Sequence, residues 1–251
     1  MSSVRFRLAF ILLLLFFSFS SVLYSNTLEI CHRAYYVFFP VAYHCNRYEV
    51  NEKELKIIGY SKTTGLGNIF GRIEIKGEAR GNLHLQSEVF RLHLHVRGKE
   101  KVHYYEFRKN SVFYQIEAGK LIEGVKEIEN PIDPFMAGLI VYITSSVSEK
   151  ELRFFYDGRV QKVRYKVLGE EILEWKGKKW NTYKILVVPE VKTTGLLAPR
   201  GKWYIWIDKE YLFPVRLRIS FVIGFVNAWI ESTSGNINLL RKLRQNSSRN
   251  P

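Results

Sequence analysis

Two cysteines, two methionines and three aspartates (Asp133, Asp157 and Asp208) are all that 251 residues contain of these types. Aspartate and methionine scarcity beside plentiful glutamate matches the Lys/Glu-rich composition of heat-adapted proteins, which concerns growth temperature and not activity. Catalytic signatures are missing as well. There is no G-x-S-x-G elbow, Walker loop, dinucleotide fingerprint or H-E-x-x-H helix, so the sites those motifs build are excluded. A Ser/His/Asp triad leaves no spacing to read. A glycosidase needs two carboxylates about 5 to 9 Å apart, and the glutamates here fall mostly on polar faces and in turns. The chain is therefore expected to be no enzyme and to need no cofactor. One long apolar run occurs, Leu8 to Phe17 after Arg5 and Arg7, followed by Ser18, Ser20 and Ser21. This is the layout of a secretory signal peptide over residues 1–25, with cleavage after Ser20 or Ser25. An uncleaved inner-membrane anchor is the alternative, although about 16 apolar residues are at the short limit for a bilayer.

What is present describes a globular, strand-rich protein. Hydrophobic residues make up 47% and aromatic residues 15%, which excludes disorder and low complexity. The formal net charge is +14, and the acid-free end of the chain holds Arg241, Lys242, Arg244 and Arg249. Such charge favours anionic partners. An exported chain meets anionic lipid head groups or polysaccharide first, so a membrane surface or envelope protein is expected and nucleic acid is not.

The sequence divides into the leader, a cysteine-bearing segment at 26–53, one β-rich domain at 54–236 and a basic tail at 237–251, with a short helix around Ile237 to Leu243. Cys31 and Cys45 read as a disulfide closing a loop of about fifteen residues, worth roughly 3 kcal/mol. Two free thiols, or a zinc site with the adjacent His32 and His44, are the alternatives. Neighbours on an extended chain point to opposite faces, which weighs against zinc. Phe90, Leu92, Leu94 and Val96 share one strand face, and Arg91, His93, His95 and Arg97 the other. The arginines would repel a cation, so this face, with His84 and His103 nearby, reads as a solvated basic strip. Asp133 is a good N-cap and Pro134 suits the first helical position. Phe135, Leu139 and Ile143, with Met136 and Ile140, then form a broad apolar stripe, so this helix is expected to plug a concave sheet. Asp157-Gly158 between alternating segments predicts a tight hairpin, which makes Asp157 a turn former.

The best-specified stretch is Gly201 to Glu231. Trp203, Ile205 and Ile207 alternate with Lys202, Tyr204 and Trp206. Val215, Leu217, Ile219 and Phe221 alternate with Arg216, Arg218 and Ser220. Matching the apolar faces puts Ile205 opposite Val215, Trp203 opposite Leu217 and Tyr204 opposite Arg216, through a three- or five-residue loop.

Several features together resemble an exported bacterial family, domain of unknown function 3108. They are Asn130-Pro131-Ile132-Asp133-Pro134 before the helix, Phe155-Tyr156-Asp157-Gly158-Arg159, Trp203 to Asp208, Phe213-Pro214-Val215-Arg216 and Ile223-Gly224. The resemblance implies a periplasmic or secreted, mainly β protein. The expected fold is a curved antiparallel sheet or half-open barrel of ten or more strands with one plugging helix; the resemblance supplies no catalytic residue. The expected function is a non-catalytic envelope protein holding a lipid or other apolar ligand against Trp203, Ile205 and Leu217, with Phe135 and Leu139 of the helix. That requires a pocket of roughly 300 Å³ or more. The alternatives are an envelope-assembly protein that docks a partner on exposed Tyr204 and Trp206, and a polysaccharide-active enzyme.

Overall fold

Period-2 alternation through most of the chain leaves each segment with one apolar face, and such segments find partners only in a sheet. The computed structural model describes residues 26–145, 149–190, 201–221 and 224–247. Eight strands come first: β1 (Thr27–Tyr36), β2 (Phe39–Val50), β3 (Glu54–Thr63), β4 (Ile73–Asn82), β5 (Ser87–Val96), β6 (Lys99–Arg108), β7 (Ser111–Glu117) and β8 (Leu121–Glu127). Helix α1 (Pro134–Ile143) follows. Then come β9 (Glu149–Tyr156), β10 (Arg159–Trp175), β11 (Lys178–Pro189), β12 (Trp203–Asp208), β13 (Pro214–Phe221), β14 (Gly224–Gly235) and helix α2 (Leu239–Ser247). All fourteen strands form one antiparallel sheet in the order β8-β7-β6-β5-β4-β3-β2-β1-β14-β13-β12-β11-β10-β9. Two meanders thus meet at a central seam, where β1 pairs with β14, and the edges are β8 and β9. Segment 26–53 supplies β1 and β2 at the heart of this sheet.

The sheet curls until the β9–β10 hairpin lies against β6 and β7. Asp157 and Gly158 make the tight turn with φ of 56° and 73°. At its tip the Asp157 N–H donates to Tyr105 Oη at 2.9 Å, and Lys101 Nζ pairs with the Asp157 carboxylate at 2.5 Å. Beside them Phe155 packs edge-on to Tyr105, with centroids 5.2 Å apart. Side chains rather than a backbone ladder therefore hold this hairpin against the first meander, giving a half-open barrel.

Helix α1 starts where its sequence dictates. Asp133 Oδ1 accepts from the N–H groups of Phe135 and Met136 at 2.7 and 3.0 Å, and Ser87 Oγ donates to Oδ2 at 2.6 Å. These bonds compensate a fully buried carboxyl whose pKa burial raises. Phe135, Met136, Leu139 and Ile143 pack into the β1–β8 half of the interior. Gly59 and Gly77, side by side on β3 and β4, make room for the Phe135 ring: a Cβ on either would stand 2.8 or 2.5 Å from it. The tail helix α2 buries Leu239, Leu240 and Leu243 in the same core. Among the described residues, no helix is long and apolar enough to cross a membrane. Residues 1–25, where a leader is expected, and residues 248–251 lie outside the described ones.

Cys31 and Cys45 face each other across β1 and β2 and are joined by a disulfide, with Cα atoms 4.1 Å apart. His32 and His44 stack on the opposite, inner face, 6.4 Å between centroids. His93 and His95 lie outside near Glu100, whereas His103 is buried inside against Tyr105 and Tyr156, so these rings do not converge. Among the described residues, no three His, Cys, Asp or Glu side chains gather as a metal site.

Two expectations for β12 and β13 need correction. The loop between them is the five residues Lys209 to Phe213, but Ile205 faces Leu217 and Tyr204 faces Arg218, two positions from the expected partners. Asp208 explains the difference. Its Oδ1 accepts from the N–H groups of Glu210 and Tyr211, Leu212 takes a φ of 62°, and the fully buried Val215 becomes the extra residue of a bulge. Trp206, expected to be exposed, is 3% accessible. A bulge at Val167/Gly169 lets the long β10–β11 hairpin fold over the outer face. There Glu171 accepts from Trp206 Nε1 at 2.9 Å, and Trp175 stacks on Trp229 at 4.6 Å. The Arg216 guanidinium lies 4.5 Å from the Trp206 ring and 4.6 Å from that of Trp229.

Candidate functional site

Helix α1 divides the interior unequally because its two faces differ in bulk. Pro134, Ala137, Gly138, Val141 and Tyr142 recur at i, i+3, i+4, i+7 and i+8, which is one helical face. Ala137 and Gly138 leave its middle nearly bare. This face looks toward β9–β13, and the gap is a cleft of about 250 Å³ walled by Phe154, Val163, Val187, Trp203, Ile205, Leu217 and Ile219. A Cβ built on Gly138 meets nothing within 4 Å.

Strand register sets the opposite wall. Val187 pairs with Trp203 across β11 and β12, and Ile185, Ile205 and Leu217 align across β11, β12 and β13 one step further in. Among the described residues, the only ionisable groups in the lining are Tyr142 and Tyr204, and burial pushes the Tyr142 hydroxyl up to about 12. The buried indole N–H of Trp203 finds no acceptor among the described residues. The cleft can desolvate an apolar group. Among the described residues, its lining holds no carboxylate, thiol or imidazole for acid–base or nucleophilic work.

Of the residues expected at a ligand site, Trp203, Ile205 and Leu217 line the cleft together. Phe135 and Leu139 stand on the other side of the helix, in the filled half. The small-residue face Ala137 and Gly138 was the wall to look for, and its i, i+3, i+4 spacing is visible in the sequence. The volume falls short of the roughly 300 Å³ expected of a lipid-holding pocket, which leaves room for part of a slim group and not for a whole lipid.

A second, polar depression of about 650 Å³ at the opposite end of the strands gathers Glu170, Glu171, Asp208 and Glu210 around Lys178 and Lys209. Here the carboxylates hold the fold. Asp208, its pKa raised by burial, caps its own turn, and Glu170 pairs with Lys209 at 2.6 Å. Glu171 takes Trp206 Nε1 and Lys184, and the Trp206 bond holds its pKa down.

Among solved structures, a β-barrel-like protein of domain of unknown function DUF1849 from Brucella abortus matches 84% of this chain and 98% of its own. Its TM-score is 0.53 at 9% identity, a likeness of fold. A domain assigned to outer membrane lipoprotein sorting from Vibrio parahaemolyticus covers 87% of this chain and 90% of its own at 10% identity, with a TM-score of 0.25. No curated protein matches. Residues 31–230, from the disulfide strand β1 through both meanders to β14, match the profile described as protein of unknown function (DUF3108), and the chain belongs to that family.

Proposed function

We propose that this protein is a non-catalytic binding protein of the cell envelope that takes one acyl chain, or a similarly slim apolar group, into the cleft between α1 and β9–β13. The observation that carries this reading is the apolar gap of about 250 Å³ left by Ala137 and Gly138. An open apolar cleft of this size, lined by aromatic and aliphatic side chains, is the kind of concavity in which a slim apolar group is taken out of water. The Cys31–Cys45 disulfide suits an oxidising compartment.

Displacement titration with a fluorescent fatty acid, paired with mass spectrometry of lipid carried through purification, tests the reading. Saturable binding that Leu217→Trp abolishes is the expected result. No saturable binding by lipid-stripped protein, or binding indifferent to that substitution, would refute it. A second reading rests on edge strand β8, where Leu121 and Val125 are 60% and 63% exposed. A protein partner could add a strand there, and pull-down with Val125→Lys tests it.

A further inference from the structure

We propose that the end of the half-barrel at which the cleft opens is a rim that docks on a bilayer containing anionic phospholipid. The inference deepens the acyl-chain reading and rests on it for its purpose, while docking itself is argued from different residues.

Alternating strand direction puts the β1–β2 turn, the connection Gly65–Phe70 after β3, the β5–β6 turn and the start of β14 at one end. Phe38 is 85% exposed on the first of these and Ile69 is 77% exposed on the second; Val37, Phe39, Leu66 and Phe225 are exposed beside them. The turns adjoin. Thr64 N–H donates to Val41 O at 2.9 Å, and a Cβ on Gly224 would stand 3.5 Å from the Tyr36 ring. The described turns at the opposite end, around Glu52, Lys109, Lys176 and Glu210, bear no large exposed apolar side chain of their own, and a single exposed one, Ile172 of β10, stands level with the Glu210 turn.

Charge decides the partner. Residues 34–43, 61–73, 96–99 and 218–227 hold Lys62, Arg72, Arg97, Lys99 and Arg218 and no acid; of the acids beside them, Glu74 pairs with Lys76 and Asp157 with Lys101 and Arg159, which leaves Glu100 near His93 and His95. Arg218 lies 4.4 Å over the Phe225 ring, and the Arg97 side chain covers Gly71. Apolar tips on successive protruding turns, interleaved with cations, suit a headgroup layer. Aromatic and aliphatic tips enter such an interface while lysine and arginine meet its phosphates. A protein interface would instead need a contiguous, charge-depleted core. The cleft faces the same way, since Pro189, Trp203 and Ile219 in its wall sit at the rim ends of β11, β12 and β13. A chain leaving the bilayer would therefore meet the cleft at the docking site.

The test places an environment-sensitive nitrobenzoxadiazole dye on the full chain at Phe38→Cys, or at Glu52→Cys on the opposite end. Vesicles are phosphatidylcholine with or without phosphatidylglycerol. The local dye reports the rim whatever the N-terminal segment does. The expected result is a blue shift and several-fold brightening at position 38 only. Ile69→Asp, or omission of phosphatidylglycerol, should weaken vesicle affinity about ten-fold or more. No shift at position 38, an equal shift at position 52, or affinity indifferent to both changes would overturn the rim, as would a shift that appears only with a protein partner. A chain that docks but binds no fatty acid overturns the cleft reading alone. One that binds fatty acid but does not dock overturns the rim alone.

Discussion

Gly138→Leu separates an open cleft from a merely thin part of the core. The glycine sits mid-helix, where leucine improves helix propensity by roughly 0.8 kcal/mol. Nothing lies within 4 Å of the Cβ position, so the new side chain grows into the gap without displacing a neighbour. Fully burying a leucine contributes about 1.5 to 3 kcal/mol, and a half-buried site gives about half of that. The sum is a gain of about 2 kcal/mol, or roughly 4 to 8 °C in Tm for a domain of this size. The variant should melt higher and bind fatty acid at least about ten-fold more weakly, the equivalent of 1.4 kcal/mol. Thermal denaturation of lipid-stripped protein and a fluorescent displacement titration read both effects. Lowered stability would show that the gap is not open to a side chain. Raised stability with unchanged binding would show that ligand sits elsewhere.

Burial drives His32, His44 and His103 down to about 4, assisted at His32 by His44 and at His103 by Lys101. The unfolded chain takes up these protons near pH 6.5 and the folded one does not, so stability is full above that pH and falls toward pH 4. One such histidine held neutral contributes on the order of 3 kcal/mol. Urea titrations from pH 7.5 to 4.5 should show the decline, with a shallower slope in His103→Gln; a flat profile would contradict it. Arg216→Ala removes a guanidinium held between two indoles and should cost about 2 kcal/mol or more, with lysine only a partial substitute, by chemical denaturation. Gly77→Val pushes a side chain into the Phe135 ring and should cost about 1 to 3 kcal/mol. A double-mutant cycle with Phe135→Ala should return part of that loss, and strict additivity would refute the contact.

Much of this fold is legible because it rests on local chemistry. Asp133-Pro134 announces the helix and Asp157-Gly158 the turn, and each works within four residues. The face of β12 that turns inward follows from alternation, so Trp203, Ile205 and Leu217 could be grouped from the sequence. Their register could not, because Asp208 spends its side chain on the turn and Val215 bulges, shifting the pairing by two without changing faces. Nor could the burial of Trp206, which depends on a bulge some forty residues earlier in β10. In α1 the bulky Phe135 and Leu139 draw attention as ligand contacts. A cavity, however, is made by the residues that fail to fill it, here Ala137 and Gly138.

The seam between β1 and β14 sets the order in which the molecule can be completed. Every other strand pair joins sequence neighbours, so each meander can grow hairpin by hairpin as it emerges. Leu28 meets Gly235 about 200 residues later, a closure that is slow on topological grounds. Until then one side of β1 is an unpaired, half-apolar edge, the template on which chains aggregate. The Cys31–Cys45 bond needs only β1 and β2, and it ties that edge strand in register to its first neighbour. Its service is therefore greatest before the native state exists, as a clamp on a nascent edge waiting for the last strand to arrive.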